Sequence, residues 1–336
     1  MQTPQPEQTV IEADSTSEPG DLYESSSLAS LRSSILEDQV ENGRTYHSMS
    51  AGKYSYPNDE RESERLDLQH RVWMVCLGGK LAIAPGHKTA KRVLDMGTGT
   101  GIWAIDFADE FPSAQVIGVD LSPIQPEWAP PNCTFEVDDL EKSWTWDEPF
   151  DFIYCRAMEG CFSDAPKMVR KIYKALKPGG YLEIGGMELP PGCDDGSVPK
   201  ESSLWKWHAL LQEAAEKLGR PLEGLGKQTR AMKEAGFVEI TRKDYILPLN
   251  SWPADPHLKE IGRWQCVNLD MGLEALSLGL LTRALNWSKE EVLALCAGVR
   301  KDLRNKKMHA YWKVHVVYAR KPEEKDAAEG TDEATE

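Results

Sequence analysis

No run of eighteen apolar residues occurs in this 336-residue chain, so no membrane-spanning helix is expected. The opening Met1 to Glu7 has neither a basic region nor an apolar core, which predicts no secretion signal. Seven cysteines (Cys76, Cys133, Cys155, Cys161, Cys193, Cys266, Cys296) never form a Cys-x-x-Cys pair. That spacing suits reduced thiols in a cytosolic or nuclear protein and argues against a zinc site. Basic residues are also scarce, 39 against 54 acids, for a net charge of −15. The imbalance lies in the tails: residues 1–41 carry nine acids and one base, and residues 321–336 seven acids and two bases, which leaves −2 for everything between. The body therefore needs no basic partner. The pair Lys306 and Lys307 is too little for a nucleic-acid stripe, so neither nucleic acid nor membrane is expected as a partner.

Against these absences, one stretch is rich. Arg92 to Trp103 reads as an apolar strand (Val93, Leu94) closed by Asp95, then Gly97, Gly99 and Gly101 at alternate positions, then a helix from Ile102. Alternating glycines remove the Cβ atoms that keep a ligand off the backbone, and a helix start offers unpaired N–H groups. A dinucleotide loop needs a small residue at 102, where Ile102 stands, and a phosphate loop needs Gly-Lys four residues on; both spacings fail. The remaining pattern, D-x-G-x-G-x-G, closely resembles the nucleoside-binding loop of class I S-adenosylmethionine (SAM) methyltransferases.

The following residues extend an α/β reading. Gln115–Val119 is a second strand ending at Asp120, Thr134–Val137 a third closing on Asp138 and Asp139, Phe150–Cys155 a fourth, and Tyr181–Ile184 a fifth. Between the last two, Ala165–Leu176 is an amphipathic helix stopped by Lys177-Pro178-Gly179-Gly180. Alternation of this kind predicts a mostly parallel, Rossmann-like sheet flanked by helices, with ligands beyond the carboxyl ends of its strands. Helices are expected over Leu204–Leu218 and Lys227–Ala235, and late strands over Phe237–Arg242 and Lys313–Arg320. The expected divisions are an acidic, Ser-rich tail (1–40, disordered apart from a short helix near Leu28–Leu36), a leader and helix (41–91), a cofactor-binding core (92–247), a helical cap inserted before the last strand (248–310), that strand (311–321) and a second acidic tail (322–336).

If the loop holds SAM, each acidic strand end has a task. Asp120 accepts from both ribose hydroxyls, Asp138 or Asp139 accepts from the adenine amino group, and Gly97, Thr98, Gly99 and Gly101 lie beside the amino-acid part, with Leu121 adjoining. Asp95 orients the loop. The leader, with Tyr46 and Tyr54, is expected to close over the cofactor and to place one of those rings beside it. His70, His208 and Glu183 are weak candidates for a base, and no catalytic base is assigned.

Further motifs narrow the family. Gly43-Arg44-Thr45-Tyr46-His47, Gly52-Lys53-Tyr54, Pro57-Asn58-Asp59-Glu60 and Arg65 to His70 resemble the leader of the fungal LaeA-type methyltransferases. Gly118 to Pro126 with its Pro-Ile-Gln-Pro turn, Cys193 to Ser197, Ala235-Gly236-Phe237 and His309-Ala310-Tyr311 are similar to it too. The resemblance spans roughly residues 40–320. It implies SAM as cofactor and a place in fungal secondary metabolism, either methylating a small-molecule acceptor or acting as a regulator with a protein partner in the nucleus. Gly185-Gly186 departs from the polar or acidic residue that many relatives carry there.

Overall fold

The computed structural model describes residues 38–50, 52 and 54–323; the expected helix at Leu28–Leu36 and most of both tails lie outside them. Seven strands form one sheet: β3 (Arg92–Met96), β4 (Gln115–Asp120), β5 (Cys133–Val137), β6 (Phe150–Arg156), β7 (Leu176–Gly192), β8 (Val238–Pro248) and β9 (Tyr311–Arg320). Their order is β5-β4-β3-β6-β7-β9-β8, parallel as far as β7, with β9 antiparallel between β7 and β8. This is the class I methyltransferase arrangement.

Strand alternation sends neighbouring residues into different cores. Val93, Phe152 and Tyr154 join Trp103 and Phe107 of α2 (Ile102–Glu110) on one face. Leu94, Ile153 and Cys155 join Met168 and Ile172 of α3 (Ala165–Ala175), with Met232 of α5 (Gly226–Ala235), on the other. A third core gathers α1 (Glu60–Cys76), α4 (Ser203–Lys217), α6 (Pro256–Leu285) and α7 (Lys289–Arg304) beside the far strands.

Local chemistry fixes the ends of these helices. Asp59 caps α1 by accepting from Glu62 N–H at 3.0 Å and also receives Arg44 Nη2 at 2.8 Å, which ties the leader to the helix. Ser288 and Glu291 cap α7 reciprocally. Along α6, glycines admit their neighbours: a Cβ on Gly279 would lie 2.1 Å from the Ser55 carbonyl, and one on Gly272 would lie 2.6 Å from Arg65. The leader and α1 can therefore lie directly on α6.

Three expectations change. Residues at the junction of the expected tail and leader form a hairpin, β1 (Gln39–Glu41) and β2 (Arg44–Tyr46), because Asn42 and Gly43 both adopt positive φ and close a two-residue turn. The fifth strand does not stop at Ile184; antiparallel pairing with β9 carries it to Gly192. Likewise β8 runs on to Pro248 along the same partner.

Candidate functional site

At the carboxyl ends of β3, β4, β5 and β6 the sheet opens into a cleft of about 1070 Å³, space at its mouth included. Asp95, Gly97, Thr98, Gly99, Asp120, Leu121, Asp138, Asp139 and Tyr54 all line it. Gly101 does not. It begins α2 at φ +81°, and a Cβ there would lie 2.5 Å from Phe135, so its place in the loop is conformational.

The loop is held from beneath. Gly97 and Thr98 donate their N–H groups to the Val119 carbonyl at 2.9 and 3.0 Å, and Thr98 Oγ1 donates to Asp95 Oδ2 at 2.6 Å. Asp120 accepts from Gly99 N–H at 2.9 Å and from Ser122 N–H at 3.0 Å, while Gln125 Nε2 reaches the Gly99 carbonyl at 2.6 Å. Gln125 belongs to the Pro-Ile-Gln-Pro turn. The motif was visible in the sequence, but its work as a strut for the glycine loop was not.

Asp138 and Asp139 differ. Asp139 is 3 % exposed and accepts from Ser50 Oγ at 2.7 Å and Glu141 N–H at 3.0 Å, so it anchors the leader loop to the end of β5. Among the described residues the Asp138 carboxylate accepts only its neighbour's N–H, at 2.7 Å. Farther round, Glu141 takes Ser163 N–H at 2.8 Å and Arg220 Nη2 at 2.6 Å. Although burial opposes it, those bonds hold the Glu141 carboxyl down to about 2. The Glu141–Arg220 pair joins residues 79 apart in sequence and carried no signal there.

Charge in the cleft is lopsided. Five acids line it against Arg156 and Arg220, and Arg220 is taken by Glu141. Burial pushes both Asp95 and Asp120 up to about 6. Carboxylates buried beside a backbone cradle, short of positive charge, fit a ligand that carries a sulfonium and an ammonium group on a nucleoside.

The leader divides its two tyrosines. Tyr54 stands in the cleft wall, packed edge-on to Tyr56 at 5.1 Å between ring centroids. Tyr46 does not reach the cleft: it is 1 % exposed, and the Arg283 guanidinium lies 4.6 Å from its ring centre. The expectation that either ring lies beside the cofactor thus narrows to Tyr54, because β2 carries Tyr46 down against α6. From α1, Leu66 and Gln69 complete the wall. Two of the three candidate bases have structural work, and the third, His208, lies away from this cleft in the wall of a second cavity. His70 bridges Asp106 at 2.9 Å and Arg156 at 3.0 Å, and Glu183 accepts from Ile83 and Ala84 N–H at 2.8 and 2.6 Å.

A second cavity, about 880 Å³ with the space at its mouth included, shares Tyr54, Leu66, Gln69 and Ala157 with the first and extends beneath α6. Ala157 at the junction has φ +54°, a left-handed conformation that non-glycine residues seldom adopt. Its N–H is fixed to the Gly185 carbonyl at 2.9 Å.

The fold and cleft define a class I SAM-dependent methyltransferase. A family model for a methyltransferase domain matches residues 68–241. Methyltransferase pytC of Aspergillus terreus is 42% identical over 298 residues, covering 88% of this chain and 92% of that protein. The secondary metabolism regulator LAE1 of Cochliobolus heterostrophus is 41% identical, covering 85% and 95%. The protein-methionine methyltransferase laeA of Emericella nidulans is 38% identical, covering 84% and 76%. The chain belongs to the LaeA-type methyltransferase family.

Proposed function

We propose that this enzyme methylates a small-molecule acceptor in a fungal secondary-metabolite pathway, with SAM held by the residues at the β3–β5 edge. In this reading Asp120 takes the ribose hydroxyls, Asp138 the adenine amino group, and Gly97 to Gly99 the amino-acid part, with Asp95 supplying negative charge and Tyr54 covering the sulfonium. Asp138 is preferred to Asp139 because the latter's carboxylate is occupied by Ser50 and Glu141. SAM brings a methyl group already activated by positive charge, so what the chain must supply is position and exclusion of water.

The observation that carries the small-molecule reading is the second cavity, which α1, α4 and α6 help to line and which shares Tyr54, Leu66, Gln69 and Ala157 with the cofactor cleft. A mainly apolar chamber of that size suits a small molecule that can be taken in whole. A second reading, a regulator that modifies protein, is favoured by the names of the LAE1 and laeA relatives. Incubating purified protein with methyl-labelled SAM and a fungal extract separates them. Label in an organic-soluble metabolite supports the first, and label confined to protein supports the second. Reduced thiols suit a cytosolic or nuclear site of action, and among the described residues no helix is long and apolar enough to cross a membrane.

A further inference from the structure

We propose that the chamber beneath α6 takes an uncharged, largely apolar acceptor bearing a hydroxyl group, and that Glu159 receives the hydroxyl proton as the oxygen takes the methyl group. This rests on the small-molecule reading above. The wall is mainly apolar and aromatic, with Tyr56, Trp73, Trp207, Leu211, Leu276 and Trp312. Its one arginine is already answered: Arg65 donates Nε and Nη2 to Glu62 at 3.0 and 2.8 Å and Nη1 to Asn268 at 3.1 Å. His208, 2 % exposed, is pushed down to about 3 by burial and stays neutral. A charged acceptor therefore finds no countercharge here apart from Glu159.

Polar capacity nonetheless remains on this wall. Among the described residues, His208 Nε2 and Trp312 Nε1 are buried without a hydrogen-bond partner, in residues whose rings meet edge-on at 5.6 Å. Buried polar atoms without partners are rare, and these suit a ligand with oxygen atoms. Glu159 follows the β6 turn into the same chamber. Its carboxylate accepts the Met187 backbone N–H, and no side chain bonds that carboxylate among the described residues; Cys161 Sγ reaches only the Glu159 backbone carbonyl. Burial lifts the Glu159 carboxyl to about 7, where a carboxylate is a useful proton acceptor.

The seat of that carboxylate explains Gly185-Gly186. A Cβ on Gly186 would lie 2.6 Å from Glu159 Oε1, and one on Gly185 would lie 3.2 Å from Trp73. Gly186 clears the strand surface so that Glu159 can lie over β7, while Gly185, whose missing Cβ points to the other face, leaves room for Trp73. In the step itself the acceptor O–H bond breaks, its proton passes to Glu159, and a C–O bond forms. The pair from the broken S–C bond stays on sulfur, which leaves as a neutral thioether.

The test uses 2-naphthol as the acceptor probe with the full chain bound to S-adenosylhomocysteine, followed by calorimetry, and then with labelled SAM. Wild type should bind naphthol. Leu276→Trp, or Leu211→Phe should the first not fold, should weaken that binding at least about tenfold by filling the chamber while S-adenosylhomocysteine affinity holds. Glu159→Gln should bind naphthol within about threefold of wild type yet transfer methyl roughly 100-fold more slowly. No naphthol binding, or binding indifferent to both filling variants, overturns the chamber. Bound naphthol left unmethylated, or a Glu159→Gln variant of wild-type rate, overturns the proton acceptor. Failure to bind S-adenosylhomocysteine would instead overturn the cofactor assignment beneath it.

Discussion

The two cavities that meet at Ala157 are built in opposite ways. The cofactor cleft is assembled from successive strand ends, and its acids carry local hydrogen bonds, Asp120 to Gly99 and Ser122, Asp95 to Thr98. The chamber beyond it is assembled from the leader, α1, α4, α6, β7 and β9, which lie as far apart in sequence as Tyr54 and Trp312. One is tuned by backbone geometry and can be recognised by spacing. The other is tuned by packing between helices, so substitutions in the two should have separable effects.

The largest separation is expected from Asp120→Ala. Loss of two charge-assisted hydrogen bonds to ribose, at about 1.5–3 kcal/mol each, should weaken SAM binding by at least about 100-fold. The Gly99 and Ser122 N–H groups also lose their acceptor, which loosens the loop further. Calorimetry on the folded variant reads this directly, and SAM affinity within threefold of wild type, about 0.7 kcal/mol, would remove Asp120 from the site.

That asymmetry explains what could be read from the sequence. A strand, an acid and three alternating glycines are a local pattern, so the β3 loop and the acids ending β4 and β5 are legible from residue order. Glu159 is not, since nothing near Met158-Glu159-Gly160 signals that Gly186, 27 residues on, vacates space for it. Tyr46 and Tyr54 look equivalent in sequence, and only the β1–β2 hairpin turns one into the core. Gly185-Gly186 was visible as a departure from the family pattern, but its meaning needed the Glu159 carboxylate against it.

The second test acts where α1 packs on α6, beneath the chamber. Glu62 and Arg65 are 3 % and 6 % exposed in their side chains and sit where α1 crosses α6. Glu62→Ala leaves the guanidinium buried with only neutral partners, Gln69 and Asn268. Breaking one side of such a pair costs about 3–5 kcal/mol, so the urea midpoint should drop markedly. Replacing both by Met should recover much of the loss. If Glu62→Ala unfolds at the wild-type midpoint, the pair does not hold α1 to α6.

A third outcome concerns pH and returns to the cleft. Asp95 and Asp120 are raised by burial from 3.8 to about 6, so the folded apo protein holds protons that the unfolded chain has released. Their contribution to stability is complete below the ordinary carboxylate value and is lost as pH rises through about 6. Binding a cation favours the ionised acids and reverses that trend. SAM affinity should therefore climb as pH passes through about 6 and then level off. Thermal shift with and without SAM across that interval measures it, and a ligand-induced shift that shrinks with rising pH would contradict the charge argument.

The smallest effect belongs to a contact whose residues line neither cavity. The motifs Cys193 to Ser197 and His309 to Tyr311 stand more than 100 residues apart, yet they meet: Tyr311 donates its hydroxyl to Asp194 at 2.7 Å, and Ser197 Oγ accepts His309 N–H at 2.9 Å. Hydrogen bonding to Asp194 pushes the Tyr311 phenol up to about 12, so it remains a donor across the working range. Together these bonds close the turn after β7 onto the start of β9, the antiparallel partner that separates β7 from the edge strand β8. Tyr311→Phe deletes one of them and leaves the ring in place, which should cost about 1 kcal/mol of stability with SAM affinity unaltered. Stability and affinity measured on the same preparation distinguish a fastener from a site residue. If SAM or naphthol binding falls while stability holds, the latch communicates with the chamber and the division between the two regions is less complete than the contacts imply.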